Sequence, residues 1–169
     1  MRRLIKIDAR PILGLVLTAT VCVEALRAQQ SPDTTYRAMQ QRGLQTMGVD
    51  QTTSSHGFQP LADGGRIVLV RDVNDPAGVA RVRQHLRDMR RAFSAGDFSM
   101  PMFIHLKTVP GIAVMAARRA HIAYTESDLP NGAALRIRTD DPAAFDAIHQ
   151  FLAFQRREHH AGERVKGSG

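Results

Sequence analysis

The sequence predicts an α+β fold: an antiparallel sheet of four to five strands with two helices on one face, a relative of the ferredoxin-like arrangement. Two observations predict it. Asp-Pro pairs at 75–76 and 141–142 each open a helical apolar pattern, because Asp caps a helix and Pro suits its first turn. Short β-prone runs precede both pairs. The order β-β-α followed by β-β-β-α, or close to it, gives one layer of strands and one of helices.

The first 28 residues have the composition of a secretory signal peptide. A basic stretch precedes an uncharged, mostly apolar run over 11–23, and Ala25 and Ala28 are two candidate cleavage positions. Thirteen helical residues span about 20 Å, short of a hydrocarbon core about 30 Å thick, so an uncleaved membrane anchor is the weaker alternative. We therefore predict a periplasmic or secreted protein with no stable membrane span after cleavage.

The full chain has 169 residues, which is enough for one domain. Residues 29–52 are polar and predict a flexible lead-in, in which a short helix over 35–44 is an option. The single α+β domain is expected over 53–160, and residues 161–169 are expected to be a disordered tail.

Within that domain, 54–61 and 65–71 predict a hairpin around the turn at 63–65. A helix from 76 follows, ended by Gly96. Residues 97–111 predict a loop with an optional strand over 102–107. Strands are expected over 112–116, 120–126 and 134–139, and a second helix from 142. The two halves resemble each other. Either both helices obey the same capping and spacing rules, or the two halves descend from a duplication. The predicted core comprises Ile67, Leu69, Val79, Val82, Leu86, Met89, Phe93, Ile122, Leu135, Ile137, Phe145, Ile148 and Leu152.

Composition excludes several functional classes. The only cysteine is Cys22, which rules out an internal disulfide scaffold and cysteine-rich metal sites. No G-x-S-x-G elbow, phosphate-binding loop or dinucleotide fingerprint is present, so the motifs identify no enzyme class. The net charge is +7, and removing residues 1–28 would take five basic and two acidic residues, leaving +4. No aromatic residues alternate with the arginines of the first helix, so no nucleic-acid partner is expected.

Histidine is the one compositional excess, with seven residues. Helical geometry places His85 and His149 at the rims of the two buried helix faces. His105 lies in an apolar stretch, and His56 in the first strand. Because imidazole is a common ligand of zinc and copper, the sequence predicts a metal site of His85, His105 and His149, with His56 or a thioether as a fourth ligand. The thioethers that would suit reduced copper are those of Met89, Met100, Met102 and Met115.

Two alternatives stay open at this point. The histidines can instead hydrogen-bond backbone or carboxylate groups, or one can serve as the base of a small hydrolase or isomerase. The chain can also be a structural or homodimerising domain, with Phe151 and Phe154 forming an exposed contact surface. The expected function is thus that of a small exported binding domain of unknown ligand, with protein interaction as the alternative.

Seven stretches of the chain resemble a family of small exported bacterial proteins of unknown function, some of which carry the label aspartate carbamoyltransferase. The resemblance implies a compact exported domain over roughly 43–160 and supplies no mechanism. The transcarbamoylases themselves are about twice as long and use a Ser-Thr-Arg-Thr-Arg phosphate loop, which this chain lacks. The stretches are Met47–Gln51, His56–Phe58, Asp63–Ile67, Gly96–Ser99, Met102–His105, Val109–Gly111 and Ala147–Gln155.

Overall fold

The computed structural model describes residues 32–161. The predicted signal peptide over 1–28 and residues 162–169 of the predicted tail lie outside this range. Two β-hairpins and five α-helices make up the described part, with short 3₁₀ turns at Gln51–Thr53 and Arg119–His121. In chain order the elements are α1 (Pro32–Met47), β1 (Ser54–Leu61), β2 (Gly64–Arg71), α2 (Pro76–Ser94), α3 (Ser99–His105), α4 (Ile112–Ala117), β3 (Ile122–Leu129), β4 (Gly132–Thr139) and α5 (Pro142–Glu158).

The four strands form one antiparallel sheet in the order β1-β2-β4-β3. Phe58 pairs with Ile67, and Ile67 pairs with Leu135 on the next strand, so these side chains point to the same face. Helix α2 packs on β3 and β4, and α5 packs on β1 and β2. The α+β prediction is confirmed, and the arrangement is compatible with a ferredoxin-like relative.

Both long helices begin where the Asp-Pro pairs predict. The carboxylates of Asp75 and Asp141 each accept a 2.8 Å hydrogen bond from a backbone amide three residues on, at Gly78 and Ala144. Arg71 reinforces the first cap. Its buried guanidinium forms a 3.1 Å ion pair with Asp75 and donates to the backbone carbonyl of Asp50 at 2.9 Å.

The core lies between the helices and the sheet. Eleven of the thirteen predicted core residues are buried, whereas Val79 and Phe145 are half-buried at the first turns of α2 and α5. Phe154, predicted to be exposed, is 5 % exposed, because it packs against His105 and lies beneath the cations of Lys107 and Arg157. The contact surface predicted around Phe151 and Phe154 is therefore wrong.

Three further predictions differ from the structure. Residues 102–107 and 112–116 are not strands, because α3 and α4 occupy this region. The lead-in predicted over 29–52 contains the four-turn helix α1, and Met47 and Val49 after it belong to the core. The packed unit therefore starts well before residue 53. Within residues 32–161, no helix combines the length and the apolar character needed to cross a membrane.

Candidate functional site

A cleft of about 50 Å³ opens between α1, α2, α3, α5 and the helix-facing side of the sheet. Apolar side chains of the core, such as Ile67, Phe93 and Phe151, make up much of its wall. Among the described residues, 32–161, no Asp, Glu, Lys or Arg lines it. The polar and sulfur-bearing lining consists of three imidazoles, three thioethers, two amides and one hydroxyl: His56, His85, His159, Met47, Met89, Met100, Gln51, Gln155 and Thr46.

The strand pattern brings His56 into the cleft. His56 pairs with Leu69 across β1 and β2, and it shares with Phe58 the face that turns toward the helices. Its ring stacks on the ring of His159, with centroids 5.0 Å apart. The first strand therefore carries one imidazole under α5, as its position in the predicted hairpin allows.

His159 caps the C-terminal end of α5 and joins two other rings. Its imidazole meets that of His105 edge-on at 5.2 Å, so His56, His159 and His105 form a continuous row of rings. His105 Nε2 lies 3.0 Å from Oε1 of Gln155, which fits Nε2–H donating to the amide oxygen. The row thus ends on a buried amide that also lines the cleft.

Two atoms at this end of the row have no hydrogen-bond partner within the described chain: His105 Nδ1 and Gln155 Nε2. Both side chains are more than nine-tenths buried. Leaving a buried polar atom unsatisfied costs about 1–3 kcal/mol. A bound water or ligand reaching these atoms would recover part of that free energy, and this distinguishes the His105–Gln155 side of the cleft from its apolar wall.

His85 is buried inside the cleft, not at the rim of its helix. Only 8 % of its surface is exposed, and its ring hydrogen-bonds the backbone of Thr46 on α1. Burial lowers the pKa of this imidazole to about 4, although Asp88 and the Thr46 hydrogen bond oppose the shift. Burial likewise lowers the pKa of His105, opposed by Gln155 and Glu158. Both rings are therefore neutral at neutral pH.

His149 lies outside the cleft, which contradicts the predicted metal site of His85, His105 and His149. Its Nε2 sits 3.1 Å from the Leu61 carbonyl and 3.0 Å from the Gly64 carbonyl. Its ring packs on Phe145. It fastens α5 to the β1–β2 turn, which is the backbone-bonded alternative that the sequence left open.

The four predicted histidines thus divide into two groups. His56 and His85 line the cleft, and His105 adjoins it through His159 and Gln155. Among the described residues, no three side chains of His, Cys, Asp or Glu lie close enough together to hold a metal ion. Of the four predicted thioethers, Met89 and Met100 line the cleft. Met115 is fully buried in the core, and Met102 is exposed.

Sequence reasoning missed His159. It follows Ile148, Phe151 or Leu152, and Gln155 at steps of three or four residues, so it continues the buried stripe of α5. When only apolar residues are counted, the stripe ends at Leu152. Continuing the same spacing through polar residues would have found the two that line the cleft at the end of α5, Gln155 and His159.

Two arginines of α2, Arg83 and Arg90, have partners in the sheet. Arg83 donates to the Leu129 carbonyl at 2.7 Å and pairs with Asp128. Arg90 forms a 2.6 Å ion pair with Glu126. These residues fasten α2 to the β3–β4 hairpin, which accounts for them without an anionic ligand.

Comparison of the chain with protein-family models, with curated proteins and with solved structures finds no match. The proposed function therefore depends on the geometry of the cleft.

Proposed function

We propose that this domain binds a transition-metal ion in the cleft between α1, α2, α3 and α5. One observation carries the proposal: imidazoles and thioethers from five segments of the chain line a single small cavity, and no described residue in its wall is charged. Neutral imidazole and thioether are ligands of soft and borderline metals. Export to the periplasm or outside the cell, which the N-terminal residues predict, would place the domain in an oxidising compartment, where a chain without cysteine after residue 28 has no thiol to oxidise.

The size of the cleft supports an ion over an organic ligand. An engineered apolar cavity of about 150 Å³ accommodates benzene, whereas this cleft has about 50 Å³. A single ion or a few waters fit that space without moving the wall. Most organic ligands would have to displace α3, which contributes Met100, Pro101 and Ile104 to the lining.

The protonation state and hydrogen bonding of a buried histidine suit this role. A metal-binding imidazole must be neutral, and its second nitrogen is usually hydrogen-bonded to a carbonyl or carboxylate group. His85 meets both conditions, since it is neutral and bonded to the Thr46 backbone. Because the described part of the chain clusters no three side chains of His, Cys, Asp or Glu, the proposed site draws on thioethers as well as imidazoles.

Equilibrium dialysis of the purified chain, without a histidine tag, tests this proposal. The probes are Zn(II), Cu(II), Ni(II) and, under anaerobic conditions, Cu(I). We expect at least one of them to bind in a 1:1 ratio with a micromolar or tighter dissociation constant. His85→Ala should weaken that binding by about 10-fold or more.

His149→Ala is the matched control, because His149 belongs to a long helix but bonds backbone carbonyls outside the cleft. It should leave the dissociation constant unchanged. Equal losses for both variants, or no metal bound by the unaltered chain, would overturn the proposed function.

A further inference from the structure

We infer that the ion taken by this cleft is monovalent copper, held by the imidazole of His85 and the thioethers of Met89 and Met100. The inference rests on the proposed function, since it names the ion and the donor atoms of the same site. The three residues line one cavity and belong to two separate helices.

His85 and Met89 form a ready-made pair on one helix. They are four residues apart on α2, so their side chains lie next to each other on the same face. Both are buried, at 8 % and 9 % exposure, and both line the cleft. Donors carried by a long, packed helix are held more accurately than donors carried by loops.

Met100 lines the same cleft from a different helix. It belongs to the short helix α3 and is partly buried against the core. Helix α3 is held to α1 by a 2.7 Å hydrogen bond from Arg42 Nε to the Ile104 carbonyl. Met100 is partly exposed, so its thioether is accessible to an ion that enters the cleft from solvent.

The donor set selects the oxidation state. Thioethers are soft ligands that suit Cu(I), whereas carboxylates and waters suit harder ions, and within residues 32–161 no carboxylate lines this cleft. Charge acts in the same direction. The cost of transferring an ion from water to a medium of low dielectric rises with the square of its charge, so a monovalent ion incurs about a quarter of the penalty of a divalent ion.

The surroundings of His85 agree with a metal ligand. The Thr46 backbone hydrogen-bonds its ring, and a backbone partner of this kind is common for a metal-binding imidazole. Thr46 itself lines the cleft, so ligand and support belong to the same wall.

Competition for Cu(I) with the chromophoric chelator bicinchoninate, in the absence of oxygen, tests the inference on the full chain. We expect Met89→Leu and Met100→Leu each to weaken Cu(I) binding by about 10-fold or more. Exchange of Met for Leu nearly conserves volume, so the fold should survive. Met102→Leu is the matched control, because Met102 lies on the same short helix as Met100 but its side chain is exposed. It should change the Cu(I) affinity by less than about 2-fold, well below the roughly 10-fold loss expected when a ligand is removed.

X-ray absorption at the copper edge of the unaltered complex supplies a readout that does not depend on the folding of a variant. It should show sulfur and nitrogen scatterers together. A copper site with nitrogen alone, or unchanged Cu(I) affinity in both leucine variants, would overturn the inference. Binding of Zn(II) or Cu(II) at the cleft without Cu(I) would overturn it while leaving the proposed function standing, and absence of every metal would overturn both.

Discussion

Gly65 lies where helix α5 comes closest to the sheet. A Cβ atom added there would overlap Leu152 Cδ1 and come within 3.4 Å of the Ile148 side chain. Leu152 and Ile148 are both fully buried, so neither can move aside without disturbing its neighbours. The absence of a side chain at this one position lets α5 contact β2 directly.

Gly65→Ala should therefore lower the free energy of unfolding by about 1–3 kcal/mol, the usual cost of overpacking a core. Chemical denaturation measured by circular dichroism checks this. Gly57→Ala is the control, because a Cβ at Gly57 would meet only Val68, at an ordinary 3.4 Å. Equal stabilities for the two variants would mean that the close approach of α5 is not under steric control.

Individual histidines show how far the sequence specifies the site. His56 and His85 are two of the predicted ligands, and both line the cleft, although the helical period predicts His85 at the rim of its helix face and the structure buries it. His149 has a similar helical position but reaches the β1–β2 turn, since the Leu61 and Gly64 carbonyls there accept its hydrogen bonds. No local pattern encodes that turn's distance from α5, so this difference could not be predicted.

Helix starts were the most predictable elements, because their signals are local. Asp141 satisfies the Ala144 amide at 2.8 Å and also pairs with Arg118. Removal of an N-cap oxygen costs about 0.5–2 kcal/mol.

Asp141→Ala should thus destabilise the protein by that amount in thermal or chemical unfolding. Asp140→Ala removes the neighbouring carboxylate, which is exposed and does not cap the helix. It should change the free energy of unfolding by less than about 0.5 kcal/mol. A larger loss for Asp140 than for Asp141 would contradict the assignment of the cap.

Helices α3 and α4 were the least predictable elements. Short apolar runs of five or six residues fit a buried strand as well as a buried helix. Helix α3 has no side-chain N-cap hydrogen bond, and neither does α4. Their helical form depends on tertiary contacts, such as the seating of Pro101 and His105 in the interior, which the sequence does not reveal by spacing. Since α3 supplies one wall of the cleft, this error also hid part of the site.

The molecule as a whole is built from two similar halves, each a hairpin followed by an Asp-Pro helix. Positions that align between the halves have the same environment. Val82 and Ile148 are both fully buried, as are Leu86 and Leu152, while Val79 and Phe145 are both half-buried. The halves differ in what connects them. Between α2 and β3 lie α3 and α4, and α3 contributes to the cleft a wall that has no counterpart in the other half.

The buried imidazoles make the stability of the whole molecule depend on pH. In the folded protein burial lowers the pKa of His85 to about 4, whereas in the unfolded chain its pKa is about 6.5. Between these values the unfolded state binds the extra proton, so the free energy of unfolding falls as pH decreases. The lowered pKa of His105 acts in the same direction.

We expect the metal-free protein to lose about 2 kcal/mol of stability between pH 7 and pH 4.5 through His85. The range stops there because carboxylates with lowered pKa, such as Asp141, titrate below their ordinary value of 3.8. Urea unfolding with a chelator present measures the slope. His85→Gln cannot gain this proton and should flatten the pH dependence, whereas His121→Gln, at an exposed position, should retain it. If His85→Gln left the dependence of the free energy of unfolding on pH unchanged, burial would not hold this imidazole neutral. A ring held neutral in the folded protein takes up its proton on unfolding and must contribute to that dependence.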